Sequence, residues 1–365
     1  MRHGIYLLLH NFKNGRAHSI QVMKTLEYMN VKQMKVYLVA PKFFVSKTPE
    51  STLKDYNIKG SVAIRYLFCG FFKYVSKLQI IFFNIRASIF LIPQIFKKNI
   101  DFIYFRHEKL ILVLFIAFLL RIPFFFEVHR SERNKKDKYI RNWLIKNAKG
   151  VVVINPSLKE YYDDLQKNIL IAECGYDASL FLPQEESIQQ SEKICLAYAG
   201  GLEPHHGIDF IVSIISKQKN YELHIVGGSP DQIKRIKKCA GENCFFYGMM
   251  PYKEVAKHLE KADILLLPQM RKDIGAVSSK MYEYFGLGKP ILATDIPANK
   301  LKMKENENAC FYGLNNKEEF FAKLKLLSEN SFLRKKMGEI NLKKAQDFSF
   351  ELRGKNIRDF VLSLI

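Results

Sequence analysis

The residue types best suited to chemistry are gathered between Ser278 and Asp295, in the run Ser-Ser-Lys-Met-Tyr-Glu-Tyr-Phe-Gly-Leu-Gly-Lys-Pro-Ile-Leu-Ala-Thr-Asp. The run reads as a capped helix, a Gly-x-Gly-Lys-Pro break and a short buried strand. Ser278 or Ser279 can cap the helix, and free backbone N–H groups there favour an anion. Lys280 adds a full positive charge beside them. Glu283 follows one turn later on the same face, where a carboxylate suits a diol such as a ribose better than a phosphate. A phosphate site next to a hydroxyl acceptor points to a nucleotide. Read as structure alone, the same run is an ordinary helix–strand unit of a doubly wound domain.

Two places nearer the amino terminus carry related chemistry. Gly15-Arg16-Ala17-His18-Ser19 lies between a first strand and a first helix, where the helix start favours an anion and Arg16 and His18 can add to it. Any strand-to-helix turn also welcomes glycine. Phe124-Phe125-Phe126-Glu127-Val128-His129-Arg130 places His129 at the carboxyl end of a buried strand, the edge at which open α/β sheets bind ligands. An imidazole there can donate to a sugar hydroxyl or polarise a departing phosphate. The plainer reading is a satisfied histidine at a strand end, with Glu127 in a supporting role.

The Ser278–Asp295 run resembles the donor-binding helix of the retaining glycosyltransferases of family 4, including those that build bacterial envelope glycans. Their usual pattern is Ser-Pro-x-Lys-x-x-Glu-Tyr-x-x-x-Gly-x-Pro before a hydrophobic strand. The resemblance extends over nearly the whole chain, with its markers in order. It implies that the Gly15 loop approaches the donor's phosphates and sugar, and that His129 touches the reacting sugar. Cys174-Gly175-Tyr176-Asp177 through Pro183 is similar to the family's domain junction, with Gly175 in a turn and Asp177 as a cap. Tyr198-Ala199-Gly200-Gly201-Leu202-Glu203-Pro204-His205-His206-Gly207 occupies the place of a diphosphate loop. The loops at Gly227-Gly228 and Gly248-Met249-Met250 would hold the base through backbone contacts, and Asp263 would be structural. Three departures stand out. Gly201 replaces a common arginine, His206 replaces a clamping lysine, and Gly275 stands where the earlier of two paired glutamates belongs; Arg271 and Lys272 are possible substitutes for the lost charge.

Composition bounds the partners. The 365 residues carry a formal net charge of +21, with 48% hydrophobic residues, room for two α/β domains of ordinary size. Residues 1–150 hold 27 Lys and Arg against 8 Asp and Glu, so nearly all of the excess charge lies there. Such a half attracts polyanions. Its basic residues are interleaved with bulky apolar ones, as at Phe71-Phe72-Lys73-Tyr74 and from Leu78 to Phe96, which suits an acidic membrane surface. A core helix with solvated lysines is the competing reading. No arginine-rich run or RNA-binding motif supports nucleic acid. The six cysteines have no paired spacing, which fits a reducing cytosol. No secretory signal is visible, and the longest uncharged apolar run, Leu110–Leu120, is too short for a span of about 20 residues. The expected location is therefore cytoplasmic, peripheral at the inner face of the membrane.

Alternating apolar strands and helices predict an α/β protein of two doubly wound, Rossmann-like domains with parallel sheets facing a central cleft; the resemblance implies that this is the GT-B fold. Strands are expected near residues 4–10, 35–40, 102–105, 123–128 and 151–154, and again near 194–198, 221–226, 244–247, 264–267 and 290–293. The polar stretch 184–193 divides them, giving domains 1–183 and 184–347. By the resemblance, a last helix, 348–365, packs back on the first domain. The activity implied is transfer of a sugar from a nucleotide-sugar donor to a glycan or lipid-linked acceptor, with retention. No cofactor is expected, and the family typically needs no metal. The alternatives left open are a non-catalytic scaffold, a UDP-sugar 2-epimerase acting without acceptor, and a DNA glucosyltransferase.

Overall fold

The computed structural model describes residues 1–9, 17–42, 48–69, 77–130, 135–183, 193–270 and 277–365. The chain forms two compact units, Met1–Cys174 with Phe350–Ile365, and Gly175–Ser349. The division falls before the polar stretch expected to mark it, because residues 175–183 pack on the second unit. Tyr176 N–H donates to the Phe348 carbonyl (3.0 Å), and the Phe181 ring lies 5.2 Å from that of Tyr252.

The first unit begins with β1 (Arg2–Leu7), α1 (Ala17–Met29), β2 (Met34–Lys42), α2 (Pro49–Asp55), β3 (Ile64–Phe68) and α3 (Lys77–Phe96). It continues with β4 (Phe102–Phe105), α4 (Ile111–Leu119), β5 (Phe124–Val128), α5 (Lys135–Asn147), β6 (Gly150–Val153), α6 (Pro156–Tyr162) and β7 (Ile169–Ile171). All seven strands are parallel, in the order β3-β2-β1-β4-β5-β6-β7. The direction of winding reverses between β1 and β4. Buried Phe, Ile and Val fill the central strands, as expected for a sheet covered on both faces.

The second unit runs β8 (Ile194–Ala199), α7 (Ile208–Ile215), β9 (Tyr221–Val226), α8 (Pro230–Ile236), β10 (Cys244–Gly248), α9 (Tyr252–Glu260) and β11 (Ile264–Leu267). Then come α10 (Lys280–Gly286), β12 (Ile291–Thr294), α11 (Pro297–Lys300), β13 (Ala309–Tyr312), α12 (Lys317–Glu329) and α13 (Ser331–Ala345). Its six parallel strands are ordered β10-β9-β8-β11-β12-β13, reversing between β8 and β11.

The last helix, α14 (Phe350–Leu364), belongs to the first unit and lies along α1. A Cβ at Gly354 would stand 2.5 Å from Tyr28 Cβ, so only glycine permits that approach. Arg353, buried, donates to the carbonyls of Ala172 and Glu173 and to Thr25 Oγ1 (3.1 Å), fastening α14 to the rest of the unit.

One helix is longer and more apolar than the count of uninterrupted runs suggested. The 20 residues of α3 are long and apolar enough to cross a bilayer; an 18-residue stretch of the helix has a mean hydropathy of 1.5, and 33% of that stretch is buried. Arg86 breaks the run in sequence without lowering the average enough to matter.

Candidate functional site

In the second unit the sheet reversal brings together the loops after β8 and β11, and the sequence candidates meet there. Lys280 opens α10, and its side chain lies against Gly200 in the loop after β8. A Cβ on Gly200 would stand 2.1 Å from Lys280 Cε and 2.7 Å from Nζ. The ammonium sits 5.2 Å from the centre of the Tyr198 ring, a cation–π contact. Tyr198 is fixed in turn by donating to the Gly201 carbonyl at 2.7 Å. Among the described residues Lys280 makes no ion pair. Burial pushes its pKa down to about 8, although Glu283 and Glu203 pull it upward.

Glu283, one turn along, accepts from the Tyr252 hydroxyl at 2.9 Å. Burial pushes its carboxyl up to about 7, against the opposing effects of Tyr252 and Lys280. A cation and a carboxylate are thus held partly desolvated side by side, each near its titration point at neutral pH. Perturbed pairs of this kind gather where ligands bind.

Ser278 and Ser279 lead into α10, but neither hydroxyl caps it. Ser279 is already helical, and the first turn closes through the Ser278 and Ser279 carbonyls, which accept from Met281 and Tyr282 N–H at 3.2 Å. The expected capping role is therefore replaced by backbone bonds.

The remaining loops stack beside this pair. Gly200 N–H donates to Val226, and Gly227 N–H donates to Gly248 at 2.7 Å. Gly227 (φ +111°) has no room for a side chain, since a Cβ would stand 2.2 Å from the Gly200 carbonyl oxygen. Ser229 spends its hydroxyl and N–H on a capping box with Gln232, so that loop offers its glycine backbone. Met249 follows β10 and is exposed. The Gly201 position, where an arginine was missing, is filled by an acid. A Cβ there would stand 2.2 Å from Glu203 Oε2 and 3.1 Å from His206 Nε2, and the two side chains are 3.5 Å apart. Asp263 ties β11 to β8, its carboxylate accepting from Cys195 N–H at 2.8 Å. Asp177 accepts from Ser179 N–H and Oγ, a local turn.

In the first unit, His129 stands at the carboxyl end of β5 within a buried polar network. Its Nε2 meets Glu127 Oε1, the oxygen that also accepts from Arg353 at 2.7 Å, while Glu127 Oε2 accepts from the Tyr104 hydroxyl at 2.7 Å. Burial would raise the Glu127 carboxyl, but Arg353 and His129 hold it well below the usual range. An ionised Glu127 is acceptor only, so the shared proton belongs to His129 Nε2. Burial and the Arg106 charge push the imidazole down to about 4 despite Glu127. His129 is thus neutral, with Nδ1 as an acceptor. It is suited to receive a hydroxyl proton in a hydrogen bond, not to bring positive charge to a phosphate. Arg106, directly after β4, keeps its Nη1 buried with no hydrogen-bond partner among the described residues. Such a donor is costly unless a ligand takes it up.

Gly15, Arg16 and the segment with Arg271, Lys272 and Gly275 lie outside the described residues. Sequence reading missed Arg106, Tyr198, Glu203, Tyr252 and Arg353. Arg106 was reachable by the rule that found His129, since it follows a central strand. The others act through contacts between segments far apart in the chain. Among the described residues no group of His, Cys, Asp or Glu is placed to hold a metal ion.

Gly200→Ala is expected to displace the flexible end of Lys280, the nearest obstacle to a new Cβ. Nucleotide affinity should fall about tenfold or more from the misplaced charge. Calorimetric titration beside a melting curve checks this, and an unchanged affinity contradicts the contact.

Comparisons with known proteins agree with this architecture. Residues 183–344 match the family model for glycosyl transferases group 1. An uncharacterised glycosyltransferase of Methanocaldococcus jannaschii is 24% identical over 218 residues, 59% of this chain and 54% of that protein. The chain thus spans about half the length of this curated relative. The sucrose-phosphate synthase of Thermosynechococcus elongatus superposes with a TM-score of 0.78 at 14% identity, covering 100% of this chain and 99% of that one. HepE of Anabaena, solved with UDP-glucose, gives 0.76 at 13% identity over 100% of both chains. The two parallel-sheet units have the GT-B glycosyltransferase fold, and the second carries the match to glycosyl transferases group 1.

Proposed function

We propose that the protein is a glycosyltransferase that moves a sugar from a nucleotide-sugar donor to a glycan or lipid-linked acceptor at the inner face of the cytoplasmic membrane. The observation that carries this is the Lys280–Glu283 pair set against Gly200 at the reversal of the second sheet, where open α/β sheets bind ligands. Lys280 holds the diphosphate as it gains charge, and Glu283 accepts from the ribose hydroxyls. The glycine backbones at Gly200, Gly201 and Gly227, with His206 and Met249, border the donor. The bound UDP-glucose of HepE makes uridine donors the first to try.

In the transfer, the acceptor oxygen bonds to the anomeric carbon as the bond to the diphosphate oxygen breaks. The leaving diphosphate carries off the electron pair and takes up the hydroxyl proton. Neutral His129 accepts from a sugar hydroxyl through Nδ1. The buried Arg106 nitrogen and the basic first unit favour an acceptor bearing an anionic group. Retention of configuration and use in envelope polysaccharide synthesis follow from the resemblance to family 4.

Thermal stabilisation by a panel of nucleotide sugars tests the reading. One donor should raise the melting temperature, and Glu283→Ala should weaken it about 10- to 100-fold through loss of charge-assisted bonds. Were no donor to stabilise the wild type, the enzyme reading would give way to a scaffold.

A further inference from the structure

The helix α3 is apolar on both faces. Phe83, Ala87 and Leu91 are buried together with Gln79, Asn84 and Ser88, while Leu78, Ile81, Phe82, Ile85, Ile89 and Phe96 face outward, each more than 40% exposed. The outward set follows helical spacing, so it forms one stripe. Two of the inward polar groups find backbone acceptors. Asn84 donates to the Ile80 and Lys109 carbonyls at 2.8 and 3.0 Å, and Ser88 donates to Asn84. Against α3 packs α4, which adds exposed Leu112, Phe115, Phe118 and Leu119. Single exposed apolar residues are ordinary, but a continuous patch on two adjacent helices marks a surface that something covers.

Charge identifies what covers it. Lys77, Arg86, Lys97, Lys98, Lys109 and Arg121 are exposed on or beside these helices, and neither helix contains an Asp or Glu. A second copy seated face to face would set this basic rim against itself. An acidic lipid surface accepts both the apolar stripe and the rim. We propose that the α3–α4 face is the docking surface for an anionic bilayer, entered to the level of the headgroups and not crossed. The helix is held to the unit by its buried face, and Asn84 is bonded to the turn before α4, so α3 lies along the membrane. This names the surface for the membrane association proposed above and rests on that part of the reading.

The single tryptophan provides the reporter. Trp143 of α5 packs 5.5 Å from Phe118 and 6.3 Å from Phe115, at the margin of the patch. The full-length protein would be sedimented with vesicles of phosphatidylglycerol and phosphatidylcholine, and with phosphatidylcholine alone. Binding should require the anionic lipid, and lipids brominated near the headgroup should quench Trp143 more than lipids brominated deep in the chain. Ile81→Gln/Phe82→Gln/Ile89→Gln should weaken binding about a hundredfold or more, and Lys97→Gln/Lys98→Gln about fivefold for each charge removed. The second variant Leu78→Gln/Phe96→Gln, at positions 65% and 72% exposed, should weaken it likewise with the fold intact. Wild-type binding that ignores lipid charge, or binding that survives both the triple variant and Leu78→Gln/Phe96→Gln, overturns the proposal. So does a dimer that the triple variant converts to monomer, which would make the face a contact between copies. Nucleotide-sugar stabilisation, read on the same variants, should persist, so failure to dock and failure to bind donor are told apart.

Discussion

Replacing Lys280 by alanine is expected to lower transfer by about 10²- to 10³-fold, the usual loss when one group that stabilises a leaving anion is removed. The apoprotein should melt no lower than wild type. Lys280 is kept partly out of water without an ion pair among the described residues, so its charge opposes folding and serves a ligand instead. Lys280→Arg should not restore activity, because the planar guanidinium cannot occupy the slot between Gly200 and the Tyr198 ring. The pH profile follows from the same pair. Above about 8, where burial has brought Lys280, the ammonium is lost and donor affinity should fall tenfold per pH unit. Below about 7, Glu283 is protonated and ceases to be a charged acceptor for the ribose. Affinity should therefore be greatest between pH 7 and 8. In Lys280→Ala the alkaline limb should vanish. Titration of donor binding from pH 6 to 9 decides it, and a flat profile in the wild type would falsify the assignment of the pair.

The largest effect on stability should come from Arg353→Met, a loss of about 3–5 kcal/mol, as is usual when one partner of a buried ion pair is removed. Arg353 and Glu127 are both nearly inaccessible, and the arginine also supplies the bonds to Thr25, Ala172 and Glu173 that hold α14 in place. Without it, Glu127 is left buried beside a neutral histidine. The linkage has a definite sign. The folded-state value of Glu127 lies well below the unfolded one, so its contribution is complete above about pH 4.3 and is lost as pH falls through the folded value. The variant should show a weaker acid dependence over that window. Chemical denaturation of both proteins from pH 7 to 3 would measure it. The double variant Arg353→Met/Glu127→Gln should recover part of the loss, since neither member of the pair is then left charged without the other. A loss below about 1 kcal/mol in the single variant would mean that the pair is not what anchors the helix.

Most of the fold was legible because central strands of a parallel sheet are uninterrupted apolar runs. Phe102–Phe105, Tyr221–Val226 and Ile264–Leu267 lie where the alternation put them. Three strands escaped that reading: Ile64–Phe68, Ile169–Ile171 and Ala309–Tyr312. All three are sheet edges. The first two are only half-buried and so carry a weaker apolar signal, and the third, Ala-Cys-Phe-Tyr, lacks the β-branched residues that mark a strand.

The sequence by itself determined which residues stand at the strand and helix ends. Lys280, Glu283, Gly200 and His129 could be named because type and spacing along one strand or helix are local properties. Tertiary structure alone decided their electrical character. Whether Glu283 titrates near 7 depends on Tyr252 from another helix and on the burial around both. His129 is neutral because burial and the charges of Arg106, which follows a different strand, and Arg353, from the far end of the chain, outweigh the pull of the ionised Glu127. The outward stripe of α3 was likewise hidden, since a helix with apolar residues on most sides does not reveal which side the sheet takes. A side chain's charge and exposure are set by groups brought near it in space, and those groups lie from tens of residues to more than two hundred away along the chain.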